Sequence, residues 1–379
     1  MTSEKKVLVA MSGGVDSSVA AMLLQSAGYD VAGVFMHLHD CVQAGDLADA
    51  RRVVETLGIT LHELDLRQDM QFVIRYFADE YRRGRTPNPC AMCNPNVKFA
   101  KLIELADLLN IACVATGHYA HIEPTASKPT ATTPAPVPAI LKRGLDPAKD
   151  QSYALFGLPI AWLTRILMPN GAKTKTEIRQ IAAQNGLKTH DKEESQDICF
   201  VPDKDYVAFL RAQCPELATT GPIVDTEGKP LGTHEGIYQY TIGQRRGLGV
   251  ALGEPRYVVR IDAATNTVVL GTRQELMAKQ LTADHVHWLA PDYATRESFP
   301  ATVQIRYNHA GAAAKVYPLS DKQDGPAETR EELPARVRVE FDQPVAAVTP
   351  GQAAVFYDKD RLLGGGWIES PRPDEVERV

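Results

Sequence analysis

A glycine- and serine-rich turn near the start of the chain has the residue types of an anion-binding loop. The apolar residues 7–11 are typical of a buried parallel strand, and Ser-Gly-Gly-Val-Asp-Ser-Ser follows them directly. A helical pattern then runs to Gly28, a residue type that commonly ends a helix. A strand, a glycine turn and a helix N-terminus in this order present unpaired N–H groups and the positive end of the helix dipole to an anion.

The composition of this loop favours a nucleotide over a bare phosphate. Gly13 and Gly14 let the backbone approach a ligand closely, and the hydroxyls of Ser12 and Ser17 add donors. Asp16 is expected to hold a magnesium ion that bridges phosphates. The motif lacks the Gly-Lys-Ser/Thr of a Walker loop, and it resembles the pyrophosphate loop of ATP-pyrophosphatases. The alternative is an ordinary strand-to-helix turn without a ligand.

Two further stretches contain cysteines that could act as nucleophiles. In Thr-Pro-Asn-Pro-Cys-Ala-Met-Cys-Asn, two prolines predict an extended backbone that places Cys90 and Cys93 just before a helix beginning near Asn96. A thiol at a helix N-terminus and beside arginines would have a lowered pKa and would be a usable nucleophile. The second stretch, residues 194–200, is a polar loop that contains Cys199.

A metal is the competing use of these thiols. Cys90, Cys93 and Cys199 together could hold an iron–sulfur cluster with an open coordination site. A single Cys-x-x-Cys lacks the second pair of a structural zinc site. The remaining three cysteines have simpler expected roles, as a buried small hydrophobe in an apolar strand or as inert thiols: Cys113, Cys41 and Cys214.

The bulk composition is that of a globular protein with several domains. A chain of 379 residues, 44% hydrophobic and 23% charged, is too long for one small domain. It contains no apolar run long enough to span a membrane, and its first strand begins too early to leave room for a signal peptide, so we expect a cytoplasmic enzyme. The net charge of −6 gives no global sign of nucleic-acid binding, but a local basic patch would suffice. Candidate patches are residues 82–85, Lys142 and Arg143 with Lys149, Lys173 with Lys175, and Arg245 with Arg246.

Alternating strand and helix patterns predict a parallel, doubly wound sheet over the first half of the chain. Ligands bind such sheets at the carboxyl ends of the strands, where Met36, Gly117 and His118 are placed with the glycine loop. The predicted strands are residues 31–36, 59–64 and 111–116, and the predicted helices are residues 46–57, 69–83, 97–109 and 174–185, with a further helical segment opening at Asp150.

After about residue 124 the pattern of alternating strands and helices changes to loops and β patterns. Residues 124–138 are rich in Pro, Thr and Ala and predict a loop extension, and residues 139–144 predict the return strand of a hairpin. After a short helix at 206–213, glycine-rich β patterns and then period-two alternation predict a small antiparallel barrel. We therefore expect an α/β domain over residues 1–204, a small mixed α/β domain over 205–279 and a C-terminal β-barrel over 280–379.

Taken together, the motifs resemble the tRNA-specific 2-thiouridylase family. The resemblance rests on SGGVDSS, GRTPNP with the CN that follows, TGHYA, KDQSY, ESQDICF and TIGQRRGL, in this order between about residues 5 and 370. The pyrophosphate loop alone leaves open a ligase that acts on a small acceptor, and the thiols alone leave open a non-catalytic iron–sulfur or tRNA-binding protein. The six motifs together favour the thiouridylase.

The resemblance implies a role for each matching residue. Cys93 matches the catalytic nucleophile and Cys199 the cysteine that receives sulfur as a persulfide. The residues implied to bind ATP are Ala10, Met11, Ser12, Gly13, Gly14, Val15, Asp16, Ser17, Met36 and Gly117, with Asp16 also at the magnesium. Those implied to meet the target base are Asn88, Pro89 and Cys90, and those implied to contact tRNA are His118, Lys149, Asp150, Gln151, Arg306, Tyr307 and Gln343.

The implied reaction is ATP-dependent thiolation of the wobble uridine in tRNA, with AMP and pyrophosphate as the other products. The implied partners are tRNA and an upstream sulfur donor such as a cysteine desulfurase or a sulfur-relay protein. One residue departs from the family pattern, because several members have Asp where this chain has Cys90. That departure puts the assignment of proton transfer to this position in doubt.

Overall fold

The computed structural model describes residues 5–39, 44–125, 139–191, 198–250, 253–319 and 333–369. Cys41, most of the Pro/Thr/Ala-rich stretch and residues 194–197 lie outside these ranges. The chain divides into two compact units, one of Met1–Val73, Cys90–Phe200 and Asp360–Leu362 and the other of Ile74–Pro89, Val201–Lys359 and Leu363–Val379.

The first unit is built on a five-stranded, all-parallel sheet in the order β3-β2-β1-β4-β7. The strand order reverses between β1 and β4, which places a ligand crevice at the carboxyl ends of these two neighbours. The doubly wound sheet is therefore confirmed. Its strands are β1 (Lys6–Met11), β2 (Asp30–His37), β3 (Thr60–Asp65), β4 (Cys113–Ala115) and β7 (Ile166–Leu167).

The helices of the first half follow the predicted pattern, with two differences. They are α1 (Val15–Ser26), α2 (Ala44–Leu57), α3 (Arg67–Arg82), α4 (Pro89–Cys93), α5 (Phe99–Leu108), α6 (Ile160–Leu163) and α7 (Lys175–Gln184). The helix expected to begin near Asn96 begins at Pro89 and contains a π-helical turn, Asn94–Lys98, between α4 and α5. The segment expected to open a helix at Asp150 is a short 3₁₀ turn, Ser152–Leu155.

Apolar packing fixes the direction of α1 against the sheet. Val7 and Val9 of β1 are fully buried in one cluster with Val15 and Val19 of α1. Because β1 and α1 share this core, the turn between them has little freedom, and the first turn of α1 stays at the carboxyl end of β1. Cys113, expected to be buried, is half-buried at the edge of this cluster.

An antiparallel hairpin of β5 (Ala120–Pro124) and β6 (Ala139–Arg143) completes the sheet structure of the first unit, as predicted. Lys142 of β6 pairs with Arg361, which belongs to the same unit. Helix α7 begins with a capping box, in which Thr174 and Glu177 satisfy each other's backbone N–H groups.

The second unit contains a four-stranded sheet and a closed barrel. The sheet has the order β10-β11-β8-β9, and the six-stranded antiparallel barrel has the order β12-β15-β14-β13-β16-β17, closed by pairing of β12 with β17. The predicted barrel is confirmed. The elements are α8 (Tyr206–Gln213), β8 (Gly221–Asp225), β9 (Pro230–His234), β10 (Tyr257–Asp262), β11 (Thr267–Gly271), β12 (Met277–Trp288), α9 (Pro291–Ala294), β13 (Phe299–Gln304), β14 (Ala312–Leu319), β15 (Arg336–Ala346), β16 (Ala353–Asp358) and β17 (Arg361–Ile368).

Within the described part of the chain, no helix combines the length and the apolar character needed to cross a bilayer.

Candidate active site

The glycine turn after β1 adopts a conformation that side chains would disturb. Gly13 has a φ of +71°, and a Cβ placed on it would lie 2.1 Å from the carbonyl oxygen of Asp46. Gly14 is the N-cap of α1 and offers no side-chain cap to the first turn of the helix. The N–H of Ser12 is bonded to the Ser17 hydroxyl, and that of Gly14 lies 3.4 Å from the Ser12 hydroxyl. The place predicted for an anion is therefore the first turn of α1.

The hydroxyls of Ser17 and Ser18 stabilise the turn through hydrogen bonds to its backbone. Ser17 accepts from the backbone N–H of Ser12 at 3.1 Å and donates to the carbonyl of Gly14 at 3.2 Å. Ser18 donates to the same carbonyl at 2.8 Å. Ser17 and Ser18 are buried, whereas the Ser12 side chain is exposed. Of these hydroxyls, Ser12 is the one best placed to meet a ligand from solvent.

Asp16 is engaged inside the protein. The Lys175 ammonium donates to both of its carboxylate oxygens, at 2.7 and 2.8 Å, and the Tyr119 hydroxyl donates to one of them at 2.6 Å. Lys175 is 8% exposed, so this ion pair is shielded from solvent on one side. The Asp16 carboxylate is thus paired with a cation of the protein itself, and magnesium at Asp16 stays a prediction. Lys175 is a buried structural cation rather than part of the expected basic patch.

Removal of the Lys175 ammonium is expected to destabilise the first unit. Lys175→Met leaves Asp16 without its cationic partner, and the loss of a charge-assisted hydrogen bond should lower the free energy of unfolding by about 1–3 kcal/mol. Lys173→Met, which removes a nearby ammonium that is not bonded to Asp16, should change it by less than about 0.5 kcal/mol. Urea unfolding of the two variants measures the difference, and equal values would contradict the structural role of the pair.

The end of β4 meets the glycine turn. A Cβ added to Gly117 would lie 2.7 Å from the carbonyl carbon of Asp16, so only glycine allows this approach. The fully buried Asn170 amide joins the two segments by donating to the carbonyls of Asp16, at 2.9 Å, and of Gly117, at 3.1 Å. The structure thus brings Gly117 to the loop as expected, while Met36 lies half-buried at the end of the neighbouring strand β2.

Cys93 occupies the junction between α4 and the π-helical turn. Its side chain is 4% exposed, and its thiol donates to the Met70 thioether at 3.6 Å. The backbone N–H of Lys98, five residues on, bonds to the same thiol. Short π-helical turns inside helices are frequent at functional sites, because the extra residue redirects the side chains that follow. Here that residue spacing brings Lys98 back to Cys93.

The expected lowering of the Cys93 pKa is wrong. Burial raises the pKa of the Cys93 thiol to about 11, the Lys98 charge opposes this shift, and the thiols of Cys199 and Cys90 add to it. The physical reason is position, since Cys93 lies at the end of a buried helical turn and not at an exposed helix N-terminus. Burial of the thiol raises the pKa of Cys90 as well, although the residue as a whole is exposed. Cys199 is also exposed.

Lys98 links the thiols to the strand ends. Burial works against its charge, but attraction to the ionised thiols of Cys93, Cys199 and Cys90 leaves the pKa of Lys98 raised. Burial and the Lys98 charge lower the pKa of His118 to about 3, so His118 is neutral at physiological pH. His118 directly follows Gly117, which touches the glycine turn. The His118 ring lies 5.6 Å from that of Phe99, the residue after Lys98. The end of β4 therefore contacts both the glycine turn and the start of α5.

Alkylation should distinguish the two predicted catalytic cysteines. With a pKa of about 11, roughly one Cys93 thiol in a thousand is ionised at pH 8, whereas Cys199 is exposed. We expect iodoacetamide to modify Cys199 at least about ten times faster, and the Cys93 rate to rise about tenfold per pH unit up to pH 10. Peptide mass spectrometry measures both rates, and a Cys93 rate that levels off below pH 9 would contradict the raised pKa.

The described residues do not support the iron–sulfur alternative. Among them, which include Cys90, Cys93 and Cys199, no group of three or more His, Cys, Asp or Glu side chains is arranged to hold a metal ion. The three thiols influence one another electrostatically, but they do not form a ligand set.

The residues expected to contact tRNA in the first unit have different environments. The Asp150 carboxylate accepts from Arg143, at 2.9 Å, and from the backbone of Gly144 and Ser152, so it orders the loop from within. Gln151 exchanges hydrogen bonds with the backbone of Tyr119. Lys149 is half-exposed. His118 bonds to the Thr116 hydroxyl at 2.8 Å.

The residues expected to contact RNA in the second unit lie on the barrel and on the segment that runs into α4. Gln304, 5% exposed, donates to the carbonyls of Arg306 and Tyr307 and so fixes their backbone. Tyr307 is 46% exposed, and Gln343 is exposed on β15. In the other segment, Asn88 is half-buried and Pro89 is buried.

Several of these contacts are invisible in the sequence. Lys98 and Asn170 belong to none of the quoted motifs. Tyr119 lies in the TGHYA motif and Lys175 in an expected basic patch, but neither pattern predicted a bond to Asp16. The five-residue spacing of Cys93 and Lys98 predicts a contact only if the turn between them is π-helical.

A parallel sheet with a phosphate loop at its topological switch point, and thiols linked to it, defines a nucleotide-binding enzyme of the HUP class. Residues 5–203 match the tRNA methyl transferase HUP domain, residues 207–272 the tRNA methyl transferase PRC-barrel domain, and residues 278–368 the aminomethyltransferase beta-barrel domain. Curated relatives match along nearly the whole chain. The chain is 42% identical to the tRNA-specific 2-thiouridylase MnmA of Halothermothrix orenii, over 96% of this chain and 99% of that protein, and 45% identical to the MnmA of Chloroflexus aurantiacus, over 96% and 98%. The chain belongs to the tRNA-specific 2-thiouridylase MnmA family.

Proposed function

We propose that this protein is a tRNA 2-thiouridylase that uses ATP to replace the C2 oxygen of the wobble uridine with sulfur. The observation that supports this most directly is the end of β4 in the first unit, where Gly117 touches the glycine turn and His118 packs against Phe99, next to Lys98. An enzyme that only adenylates a small acceptor has no use for the thiols around Lys98. The similarity to MnmA proteins over 96% of the chain supplies the substrate class.

The first half of the reaction would activate the uridine. Its C2 oxygen is a poor leaving group, and attack of that oxygen on the α-phosphorus of ATP converts it into an AMP ester with release of pyrophosphate. The N–H groups in the first turn of α1 would stabilise the charge on the departing pyrophosphate. Magnesium with ATP stays a prediction, and since Asp16 is paired with Lys175, no step is assigned to it as a metal ligand.

The second half would deliver sulfur. A Cys199 persulfide is attacked at its inner sulfur by the Cys93 thiolate, which forms a Cys93–Cys199 disulfide and releases hydrosulfide. Hydrosulfide adds at C2 and AMP leaves, and an external dithiol then reduces the disulfide. Lys98 is placed to stabilise the thiolate of Cys93, whose own environment disfavours it.

The target uridine must leave its stack to reach these groups, and an unpaired base of an anticodon loop does so at the lowest cost, a few kcal/mol. Asn88, Pro89 and Cys90 are proposed to meet the base. The proposed tRNA contacts are His118, Lys149, Asp150, Gln151, Arg306, Tyr307 and Gln343. Because His118 is neutral at physiological pH, its contact would be a hydrogen bond or a stacking contact rather than an ion pair with phosphate.

We also propose that the protein works in the cytoplasm, with a cysteine desulfurase or a sulfur-relay protein as donor. Its proposed domains are residues 1–204, 205–279 and 280–379.

Nucleoside mass spectrometry tests the proposal. The protein is incubated with a tRNA transcript that has uridine at the wobble position, ATP, magnesium and a persulfide donor, and the digest is analysed for 2-thiouridine. We expect 2-thiouridine with one AMP and one pyrophosphate per sulfur. Pyrophosphate release without tRNA, unaffected by alkylation of the thiols, would instead identify a ligase for a small acceptor.

A further inference from the structure

Most of the basic clusters that the sequence singles out are neutralised by ion pairs. Arg82 pairs with Asp79 and Glu216, and Arg85 pairs with Glu80 at 2.7 Å. Lys142 pairs with Glu123, Arg143 with Asp150 and Lys175 with Asp16. Arg245 and Arg246 differ, because both are exposed and no carboxylate of the described residues forms an ion pair with either. Two adjacent guanidiniums that pair with no carboxylate in the described part of the chain form a local positive site, although the net charge is −6.

The loop that presents these arginines, residues 241–249, has a fixed conformation. The Gln244 side chain accepts from the Thr241 N–H at 3.1 Å and donates to the Arg246 carbonyl at 3.0 Å. The backbone of the loop also bonds to β10. The Gly243 N–H donates to the Val258 carbonyl at 2.8 Å, and the Val258 N–H donates to the Gln244 carbonyl at 3.0 Å. Leu248, 7% exposed, anchors the far end in the core of the four-stranded sheet.

Backbone geometry restricts the loop further. Gly243, Gly247 and Gly249 have φ values of +90°, +71° and +72°, which other residues rarely adopt. A pair of solvated surface arginines needs no such support. A ligand site gains from it, because a preordered loop loses less conformational entropy on binding.

The loop also touches the segment that precedes the proposed target-base residues, within the second unit. The Thr241 hydroxyl lies 3.4 Å from that of Thr86. Thr86 is held in turn by the Gln352 amide, which donates to the carbonyls of Thr86 and Pro87 at 3.0 and 3.1 Å. Asn88 is the next residue. The arginines are thus attached to the segment that runs to Asn88 and Pro89.

We propose that Arg245 and Arg246 form a binding site for backbone phosphates of the RNA strand next to the target nucleotide. The proposal rests on the proposed function, since it takes tRNA as the substrate. Guanidinium forks bind phosphate oxygens bidentately, and a strand contact beside the target base would hold the flipped nucleotide in register. Neither arginine reads sequence, because phosphates are the same at every step.

Two variants and a matched control test the site. Arg245→Ala/Arg246→Ala should weaken binding of a tRNA transcript at least about tenfold at 0.1 M salt, and should reduce the slope of log K against log[salt] by about 1.4–1.8. Arg245→Lys/Arg246→Lys should restore most of the slope and only part of the affinity. Lys229→Ala/Arg273→Ala removes two exposed charges from the same unit and should have a smaller effect on both.

The length of the RNA tests the position of the site. A hairpin of the anticodon stem and loop should lose the same factor in affinity as the full tRNA. A loss confined to the full tRNA, or an equal loss in the Lys229/Arg273 control, would overturn the proposal. If the wild-type protein forms 2-thiouridine while the arginine variant binds with unchanged affinity and slope, only this inference fails. Absence of thiolation by the wild-type protein would instead contradict the proposed function.

Discussion

Replacement of Cys93 or Cys199 by serine is expected to lower the rate of tRNA thiolation by at least about 10³-fold, because a covalent step that needs sulfur at both positions loses one partner. Serine keeps the size of the side chain. It removes the nucleophile at Cys93 and the persulfide carrier at Cys199. Affinity for ATP should stay within about twofold of wild type in both variants, since neither thiol is part of the glycine turn.

The two variants should fail at different steps. Cys93→Ser should still accept a persulfide on Cys199, and intact-protein mass spectrometry should show one added sulfur after incubation with the donor. Cys199→Ser should show no added sulfur at position 199 after the same incubation. Cys214→Ser, which removes a thiol 3.9 Å from the Arg82 guanidinium in the second unit, is the matched control and should thiolate tRNA normally. Full activity of either site variant would refute the relay, and loss of activity in the control would point to a general effect of thiol removal.

The chemistry of this site could be predicted from residue types, but its electrostatics could not. The glycine turn and its partner Gly117 followed from a strand–turn–helix pattern and from the rule for strand ends, both of which are local. The pKa of Cys93 depends on burial of the thiol, which lies 3.6 Å from the Met70 sulfur, and on a π-helical turn that returns Lys98 to the thiol. Neither feature has a sequence signature, and the extended reading of the two prolines placed the start of the helix seven residues too late, at Asn96 instead of Pro89.

The role of Asp16 shows the same limit at longer range. A carboxylate in a phosphate loop predicts a metal ligand when only the loop is considered. In the fold, Lys175 reaches the loop from helix α7, 159 positions further along the chain. Tyr119 reaches it from the segment between β4 and β5, 103 positions further. A buried cation is already paired with Asp16 in the absence of any ligand, so the loop is held by contacts within the protein. Such pairings are set by tertiary packing and not by spacing in the chain.

Because the glycine turn is ordered without a ligand, Gly13→Ala is expected to weaken ATP binding strongly. A Cβ at this position would sit 2.1 Å from the Asp46 carbonyl oxygen, and the φ of +71° costs an L-residue about 1–2 kcal/mol. The turn can relieve the contact only by moving away from α2, which redirects the N–H groups that would hold the phosphates. We expect ATP affinity, measured by calorimetry, to fall at least about tenfold.

A matched variant separates this effect from loss of helix or fold. Gly45→Ala adds the same methyl group one residue before Asp46, where no atom lies within 4 Å of the new Cβ, and alanine favours the helix there. It should bind ATP as the wild type does and unfold at the same or a higher temperature. Gly117→Ala, whose Cβ would meet the Asp16 backbone at 2.7 Å from the other side of the turn, should weaken ATP binding as Gly13→Ala does. If both site variants keep their far-ultraviolet circular dichroism and still bind ATP with wild-type affinity, the glycine turn does not hold the phosphates, and the nucleotide must bind elsewhere.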